Sequence, residues 1–226
     1  MTEPVNAPRK PPFPVHSHPA SKQRGFVFWA IWVLIASYAV YPTANWLASL
    51  RASRFDFITP WDAMIPLVPE FIFVYFSFFL FLTLPYWLVD QPELSALGKR
   101  QILGTLICGV VFVLFPANLA FERVIPEEEP YRRIFSLMFL VDKPHNLLPS
   151  LHIVYSALTG LAICQTQWHK GRIGLCAVIA LWSVAICAST MLVHQHHILD
   201  VVTALLLVAV LYGVIRPSPQ PLNHPA

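Results

Sequence analysis

The sequence predicts an all-α polytopic membrane protein, a bundle of six transmembrane helices, from its composition and from six long apolar runs. Hydrophobic residues make up 56% of the 226 residues and charged residues 12%, and the mean hydropathy is +0.59. Soluble domains contain about 45–50% apolar and about 25% charged residues, so this composition excludes an ordinary soluble fold. A helix needs roughly 20 apolar residues to cross a bilayer. Six runs approach that length: 26–48, 66–89, 100–120, 149–166, 172–193 and 197–215.

The segments that flank the spans are polar. Residues 1–24 contain six prolines and residues 216–226 contain four, a composition typical of poorly ordered tails. We therefore expect one six-span domain over residues 25–216, with a disordered tail at 1–24 and a polar tail at 217–226. The connections between spans are brief except for residues 121–148, which hold the acidic run 127–129. A long charged connection between short ones is a place to expect function.

The distribution of Lys and Arg predicts the orientation of the chain. With the amino terminus in the cytoplasm, nine Lys and Arg residues fall in inner segments and six in outer segments. Because inner segments carry the excess of positive charge, both tails are predicted to lie in the cytoplasm, with the chain in the cytoplasmic membrane. This orientation places residues 121–148, His152 and His196 together on the extracytoplasmic face.

Two histidines at the predicted ends of spans suggest catalysis. His196 precedes Asp200 by four residues, so on a helix their side chains share one face and the carboxylate can bind an imidazole nitrogen. That contact fixes the tautomer and raises the basicity of the far nitrogen, as a nucleophilic histidine requires. His152, near the start of the fourth span, is placed to protonate a leaving oxygen.

Phosphate is the group that the neighbouring residues would bind. Pro149 and Ser150 open the fourth span, where the free N–H groups of a helix start favour an anion. Arg123 is the first candidate cation for a transferring phosphoryl group, and Lys143 is the second. The sequence therefore predicts an enzyme of phosphoryl transfer.

Three segments carry a more specific pattern: Phe121-Glu122-Arg123, then Pro149-Ser150-Leu151-His152, then Ser189-Thr190 with His196 and Asp200. This arrangement resembles the signature of the type 2 phosphatidic acid phosphatase superfamily. There the pattern is Lys, six residues, Arg-Pro; then Pro-Ser-Gly-His; then Ser-Arg, five residues, His, three residues, Asp. The likeness covers about residues 60–203. Segments 65–69 and 142–146 further resemble a branch with the inositol phosphorylceramide synthases and related bacterial membrane phosphatases.

The resemblance implies a role for each matching residue. His196 would be the nucleophile that forms a phosphohistidine, Asp200 would orient it, and His152 would be the general acid. Three further residues would bind the phosphate: Arg123, Ser150 and Ser189.

Some positions depart from the family pattern. Pro116 stands where the family has Lys, and Val124 and Thr190 stand where it has Pro and Arg. Two cations of the usual phosphate site are therefore missing. Lys143, or Arg132 with Arg133, would have to supply the lost charge.

The expected function is that of an integral membrane lipid phosphatase that hydrolyses a lipid phosphate or diphosphate. A lipid phosphotransferase would use the same residues but deliver the phosphoryl headgroup to a lipid hydroxyl, and a non-enzymatic lipid-binding or transport protein could share the scaffold. Expected partners are the lipid phosphate substrate and membrane lipids. Nucleic acid is not expected, because no basic run is interleaved with aromatic residues. The sequence does not indicate an oligomeric state, since no helix face of small residues stands out.

A metal site is the less favoured reading of the histidine-rich segment. His194 and His197 could join His196 as zinc ligands, but on a helix they would project to nearly the opposite face from His196. We therefore expect neither a metal nor another cofactor. The four cysteines fall inside apolar segments and are expected to be small buried hydrophobic residues.

Overall fold

The computed structural model describes residues 19–142 and 144–218, and within them the regular structure is helical. In chain order, its helices are α1 Pro19–Ser49, α2 Phe71–Phe81, α3 Pro85–Leu88, α4 Gln91–Leu114, α5 Tyr131–Val141, α6 Leu151–Trp168, α7 Ile173–Leu192 and α8 Ile198–Val214. A single 3-10 turn covers Asp62–Met64. The described residues contain no β-strand, only an isolated bridge between Phe55 and Ala117. The all-α prediction is confirmed.

Three helices are long and apolar enough to cross a membrane, by length and composition. They cover Lys22–Ser49, Gln91–Leu114 and Ile173–Leu192, and two shorter apolar helices cover Phe71–Phe81 and Ile198–Val214. These apolar helices indicate a membrane protein, and the count of six spans stays a prediction. The predicted run 66–89 divides into α2 and α3, because Pro85 cannot donate a backbone hydrogen bond and therefore starts a new helix.

Boundaries differ from the predicted runs where polar residues continue a helix. Helix α4 begins at Gln91, nine residues before the apolar run, because Pro92 suits a first helical turn and Glu93 binds Arg100 within the helix at 2.5 Å. Helix α1 begins at Pro19, inside the segment predicted to be a tail. Residues 1–18 and 219–226 of the predicted tails lie outside the described residues.

Helix α6 is the centre of the bundle. It packs against α4, α7 and α8, while α1 packs against α4 and α2 against α7. The side chains that α6 contributes to the core are fully buried: Ile153, Val154, Leu158, Ala162 and Ile163. The Ser150 N–H donates to the Asp200 carbonyl at 3.3 Å, so the start of α6 lies beside the start of α8.

The connection 121–148 contains a helix that the sequence analysis described as a loop. Tyr131, Phe135 and Met138 recur at a helical spacing, and Phe135 and Met138 are buried against Ile72 and Tyr75 of α2. The apolar face of α5 therefore holds this segment against the bundle. The residue after α5, Asp142, is brought to the end of the bundle that carries the histidines.

The two ends of the bundle carry different groups of charges. At one end, Lys22 Nζ donates to the Trp87 carbonyl at 3.2 Å and Lys170 binds Asp90 at 2.7 Å. Arg100 at the same end donates to the Ile215 carbonyl at 2.9 and 2.7 Å. These cations belong to the group assigned to the cytoplasm, and Arg123 lies at the opposite end with the histidines. The structure thus separates the two groups, and the side of the membrane that each faces stays a prediction.

Candidate active site

His196 and Asp200 form a buried pair at the start of α8. The His196 Nδ1 atom lies 3.2 Å from Asp200 Oδ2, and the two residues are 5% and 0% exposed. A carboxylate oxygen can only accept, so Nδ1 carries the proton and the lone pair lies on Nε2. The predicted contact is present, but its geometry differs from the prediction. His196 precedes α8, and Asp200 reaches back from the first turn, where it also accepts from the His197 backbone N–H at 2.8 Å.

A turn between α7 and α8 sets the position of His196. The backbone N–H groups of Gln195 and His196 donate to the Thr190 carbonyl at 2.9 and 3.1 Å. His194 enters this turn with a φ of 55°, in the left-handed region. The carbonyl groups at the end of α7 thus hold the backbone that carries the candidate nucleophile.

A second buried carboxylate, Asp62, fixes the start of α8 from the other side. Its Oδ1 accepts from the Ile198 backbone N–H at 2.8 Å, and its Oδ2 accepts from the backbone N–H and the hydroxyl of Thr59 at 2.6 Å each. Burial raises the pKa of Asp62, but these hydrogen bonds outweigh it, so the net pKa is lowered. The first turn of α8 is therefore bound by two carboxylates, Asp62 and Asp200.

His152 faces His196 across the gap between α6 and α8. The two ring centroids are 6.0 Å apart, and the His152 ring packs against Tyr75 at 4.7 Å and Phe78 at 4.8 Å. Ser150 is the N-cap of α6, where its hydroxyl accepts from the Ile153 N–H at 3.5 Å. The Ser150 N–H donates to the Asp200 carbonyl at 3.3 Å, which ties the start of α6 to α8. The structure therefore brings His152 and Ser150 to the pair.

Arg123 reaches the same place from the segment before α5. Its Nη2 donates to the Asp142 carbonyl at 2.8 Å and its Nη1 to the Phe139 carbonyl at 3.3 Å. Its Nε is buried and has no hydrogen-bond partner among the described residues. Burial lowers the pKa of Arg123, against the charge of Asp142. A small cavity of about 10 Å³ is lined by Arg123, Asp142 and His196, together with Tyr41, Leu119, Pro144, Asn146, Leu147 and Gln195.

Among the described residues, the other predicted phosphate ligands do not join this group. The Ser189 hydroxyl is buried and donates to the Ile186 carbonyl of its own helix at 2.7 Å. Arg132 and Arg133 bind Glu129 on the surface, at 2.8 and 3.3 Å. Lys143 lies outside the described residues. Among the described residues that line the cavity, the cation is therefore Arg123.

His194 and His197 have packing roles that the sequence analysis missed. The Phe121 ring stacks between them, 4.2 Å from the His194 ring and 5.1 Å from the His197 ring. His197 Nε2 accepts from the Ala120 N–H at 3.2 Å, and His194 Nε2 lies 3.0 Å from the Ile65 carbonyl. The prediction that both project to the helix face opposite His196 was wrong, because all three histidines precede α8. This stack holds the segment that carries Arg123 against the turn that carries His196.

Asp142 also lines the cavity, and no role was predicted for it from the sequence. The Tyr41 hydroxyl donates to its Oδ1. Burial raises the pKa of Asp142, opposed by the Tyr41 hydrogen bond and by the charges of His196 and Arg123. The sequence feature that could have indicated Asp142 is its position directly after an amphipathic helix and before Lys143 and Pro144.

The arrangement can perform covalent phosphoryl transfer. One cavity contains an oriented imidazole with a free nitrogen and a guanidinium, and the ring centroid of a second imidazole lies 6.0 Å from that of the first. Among the described residues, no group of three or more His, Cys, Asp or Glu side chains is arranged to hold a metal ion. In the comparisons with known proteins, no family model, no curated protein and no solved structure matches this chain.

Proposed function

We propose that the chain is a membrane lipid phosphatase that hydrolyses a lipid phosphate or diphosphate through a phosphohistidine. The observation that carries the proposal is the buried His196–Asp200 pair, at 3.2 Å, with His152 facing it and Arg123 in the same cavity. A histidine with its Nδ1 bound to a carboxylate has the tautomer that a nucleophile needs. The apolar helices keep this site at a membrane, where a lipid is the substrate at hand.

The first half of the reaction forms the covalent intermediate. His196 Nε2 attacks phosphorus, the bond to the leaving oxygen breaks, and His152 gives that oxygen a proton. Asp200 stabilises the positive charge that develops on the His196 ring. Arg123 binds the phosphoryl oxygens with the N–H groups that face the cavity. In the second half, the oxygen of water bonds to phosphorus and gives up a proton to a base of the site, while the bond between phosphorus and Nε2 breaks and its electron pair returns to His196.

A lipid phosphotransferase is the second candidate. It shares the first half of the reaction, and a lipid hydroxyl replaces water in the second. The observation that favours it is the loss of two cations of the family pattern, since Pro116 and Thr190 stand where the family has Lys and Arg. We further propose that the protein lies in the cytoplasmic membrane with this site on the extracytoplasmic face, from the nine-to-six charge count.

The test is an assay of the purified protein with ³²P-labelled lipids. Phosphatidic acid and a prenyl diphosphate are supplied with and without a lipid alcohol as acceptor. Release of inorganic phosphate identifies a phosphatase, and transfer of label to the alcohol identifies a transferase. His196→Ala should abolish both the product and an alkali-stable, acid-labile phosphoprotein, whereas His169→Ala, at an exposed histidine at the opposite end of α6, should change neither. Lipid binding without either product would contradict both enzymes and favour a binding protein.

A further inference from the structure

The wall of the cavity that faces His196 contains two hydrogen-bond acceptors without a role in forming the phosphohistidine. The first is Asn146, which is 3% exposed. Its Nδ2 donates to the Tyr41 carbonyl at 2.7 Å. A carbonyl can only accept, so this contact fixes which way the amide points. The Asn146 Oδ1 atom is consequently the free end, and it is buried without a partner among the described residues.

The second acceptor is the carboxylate of Asp142. The groups that face it come from four elements: Tyr41 of α1, Tyr75 of α2, Arg123 of the connection before α5, and His196 before α8. The Tyr41 hydroxyl holds the carboxylate, and Arg123 binds the Asp142 backbone carbonyl at 2.8 Å. The carboxylate is thus fixed in direction inside the cavity that His196 also lines.

Neither acceptor suits a phosphate. The oxygens of a phosphate are acceptors with negative charge, so an ionised carboxylate repels them and an amide oxygen offers them no proton. Both acceptors suit a hydroxyl, which donates. A buried acceptor without a partner, such as Asn146 Oδ1, destabilises the folded protein, and a hydroxyl that binds there removes this penalty.

We propose that Asp142 and Asn146 form the binding site for the hydroxyl that takes the phosphoryl group from His196, and that Asp142 accepts the proton of that hydroxyl. The inference rests on the proposed phosphohistidine. In the step, the acceptor oxygen bonds to phosphorus, and its proton passes to the Asp142 carboxylate. The bond between phosphorus and His196 Nε2 breaks, and its electron pair stays on the imidazole. The acceptor is water in a phosphatase and a lipid alcohol in a transferase.

The experiment separates formation of the phosphohistidine from its loss. Purified protein is mixed with ³²P-labelled substrate and quenched at intervals, and the phosphoprotein is measured. The side-chain amide of Asp142→Asn keeps an oxygen that accepts from the Tyr41 hydroxyl, but it cannot take a proton from the acceptor hydroxyl. We expect formation to stay within about threefold of wild type and loss to slow by about 10²-fold or more, the usual contribution of a general base. The matched control is Asp56→Asn, at an exposed carboxylate of the same end.

A second variant tests the acceptor site without changing charge. Asn146→Ala should change the ratio of the product formed with water to the product formed with added glycerol or lipid alcohol. We expect a change of about threefold to tenfold, the usual contribution of one hydrogen bond. Formation of the phosphohistidine should stay as in wild type. This arm also covers the case in which Asp142→Asn does not fold.

The outcomes distinguish this inference from the proposed function. If wild-type protein forms no phosphoprotein, the proposed function is wrong and this inference falls with it. If wild type forms one and Asp142→Asn slows formation and loss equally, Asp142 has only a structural role and the inference alone is wrong. Normal loss in Asp142→Asn, or an unchanged division of product in Asn146→Ala, would overturn the corresponding half of the acceptor site.

Discussion

Asp200→Asn is the substitution that tests the site most sharply, because it removes a charge and keeps the shape. In the structure, one oxygen of Asp200, Oδ2, accepts from His196 Nδ1 at 3.2 Å and from the His197 N–H at 2.8 Å. The carbonyl oxygen of an asparagine can take that position and keep both contacts. Its NH₂ group then takes the position of Oδ1, which is buried and has no partner among the described residues.

These contacts determine how much stability and how much rate Asp200→Asn should lose. Loss of the negative charge from the first turn of α8 costs about 0.3–1 kcal/mol, and a buried NH₂ without an acceptor costs about 1–3 kcal/mol. We therefore expect a moderately destabilised but folded protein. The rate of phosphohistidine formation should fall by about 10² to 10⁴, as for other histidines oriented by a carboxylate. That loss corresponds to about 3–5 kcal/mol, since each factor of ten is about 1.4 kcal/mol.

The assay measures formation of the phosphohistidine in a single turnover, per folded molecule. The folded fraction is taken from size-exclusion chromatography in detergent. Asp62→Asn is the matched control, because Asp62 also binds the first turn of α8, through the Ile198 N–H at 2.8 Å, without contact to His196. We expect it to lose stability and keep most of its rate. Equal rate losses in the two variants would refute an orienting role for Asp200, since both would then act through the start of α8.

Three further predictions concern the rest of the site. His152→Ala should slow lipids with poor leaving groups most and spare an aryl phosphate that leaves without a proton; equal losses with both substrates would contradict its role as acid. His197→Ala should raise KM more than it lowers kcat, because the stack with Phe121 supports the segment that carries Arg123; steady-state kinetics check this, and an unchanged KM would contradict it. Ser218→Cys should resist an impermeant maleimide added to intact cells, since both tails are predicted to be cytoplasmic; labelling from outside would overturn the orientation.

The pH dependence of turnover follows from the same groups. Phosphohistidine formation requires a neutral His196 and a proton on His152, so its rate should change with pH. Burial raises the pKa of Asp142. As the pH falls, Asp142 should therefore become protonated, and stop acting as a base, at a higher pH than an exposed aspartate would. The rate of phosphohistidine loss, measured against pH, should show this acid limb in wild type and lack it in Asp142→Asn. A flat profile from about pH 5 to 8 would count against the histidine assignments.

The sequence alone was sufficient for the class of the protein and for the central pair. Composition and apolar runs predict helices in a membrane because the cost of exposing backbone polar groups to lipid leaves few alternatives. The spacing of His196 and Asp200 predicts their contact because four residues of chain limit how far apart two side chains can lie near a helix start. Both inferences rest on local chain geometry, which depends only on residues close together in the sequence.

Tertiary structure decided which other groups enter the cavity. Tyr41 and Asp142 meet across 101 residues of chain, and no period in the sequence indicates such a contact. The same holds for the stack of Phe121 on the turn before α8. The cations Arg132 and Arg133 were equal candidates with Lys143 in the sequence, and the fold of α5 directs them to Glu129 on the surface. Residues far apart in the chain become neighbours only when helices pack, because packing depends on the shape of whole buried faces and not on local spacing.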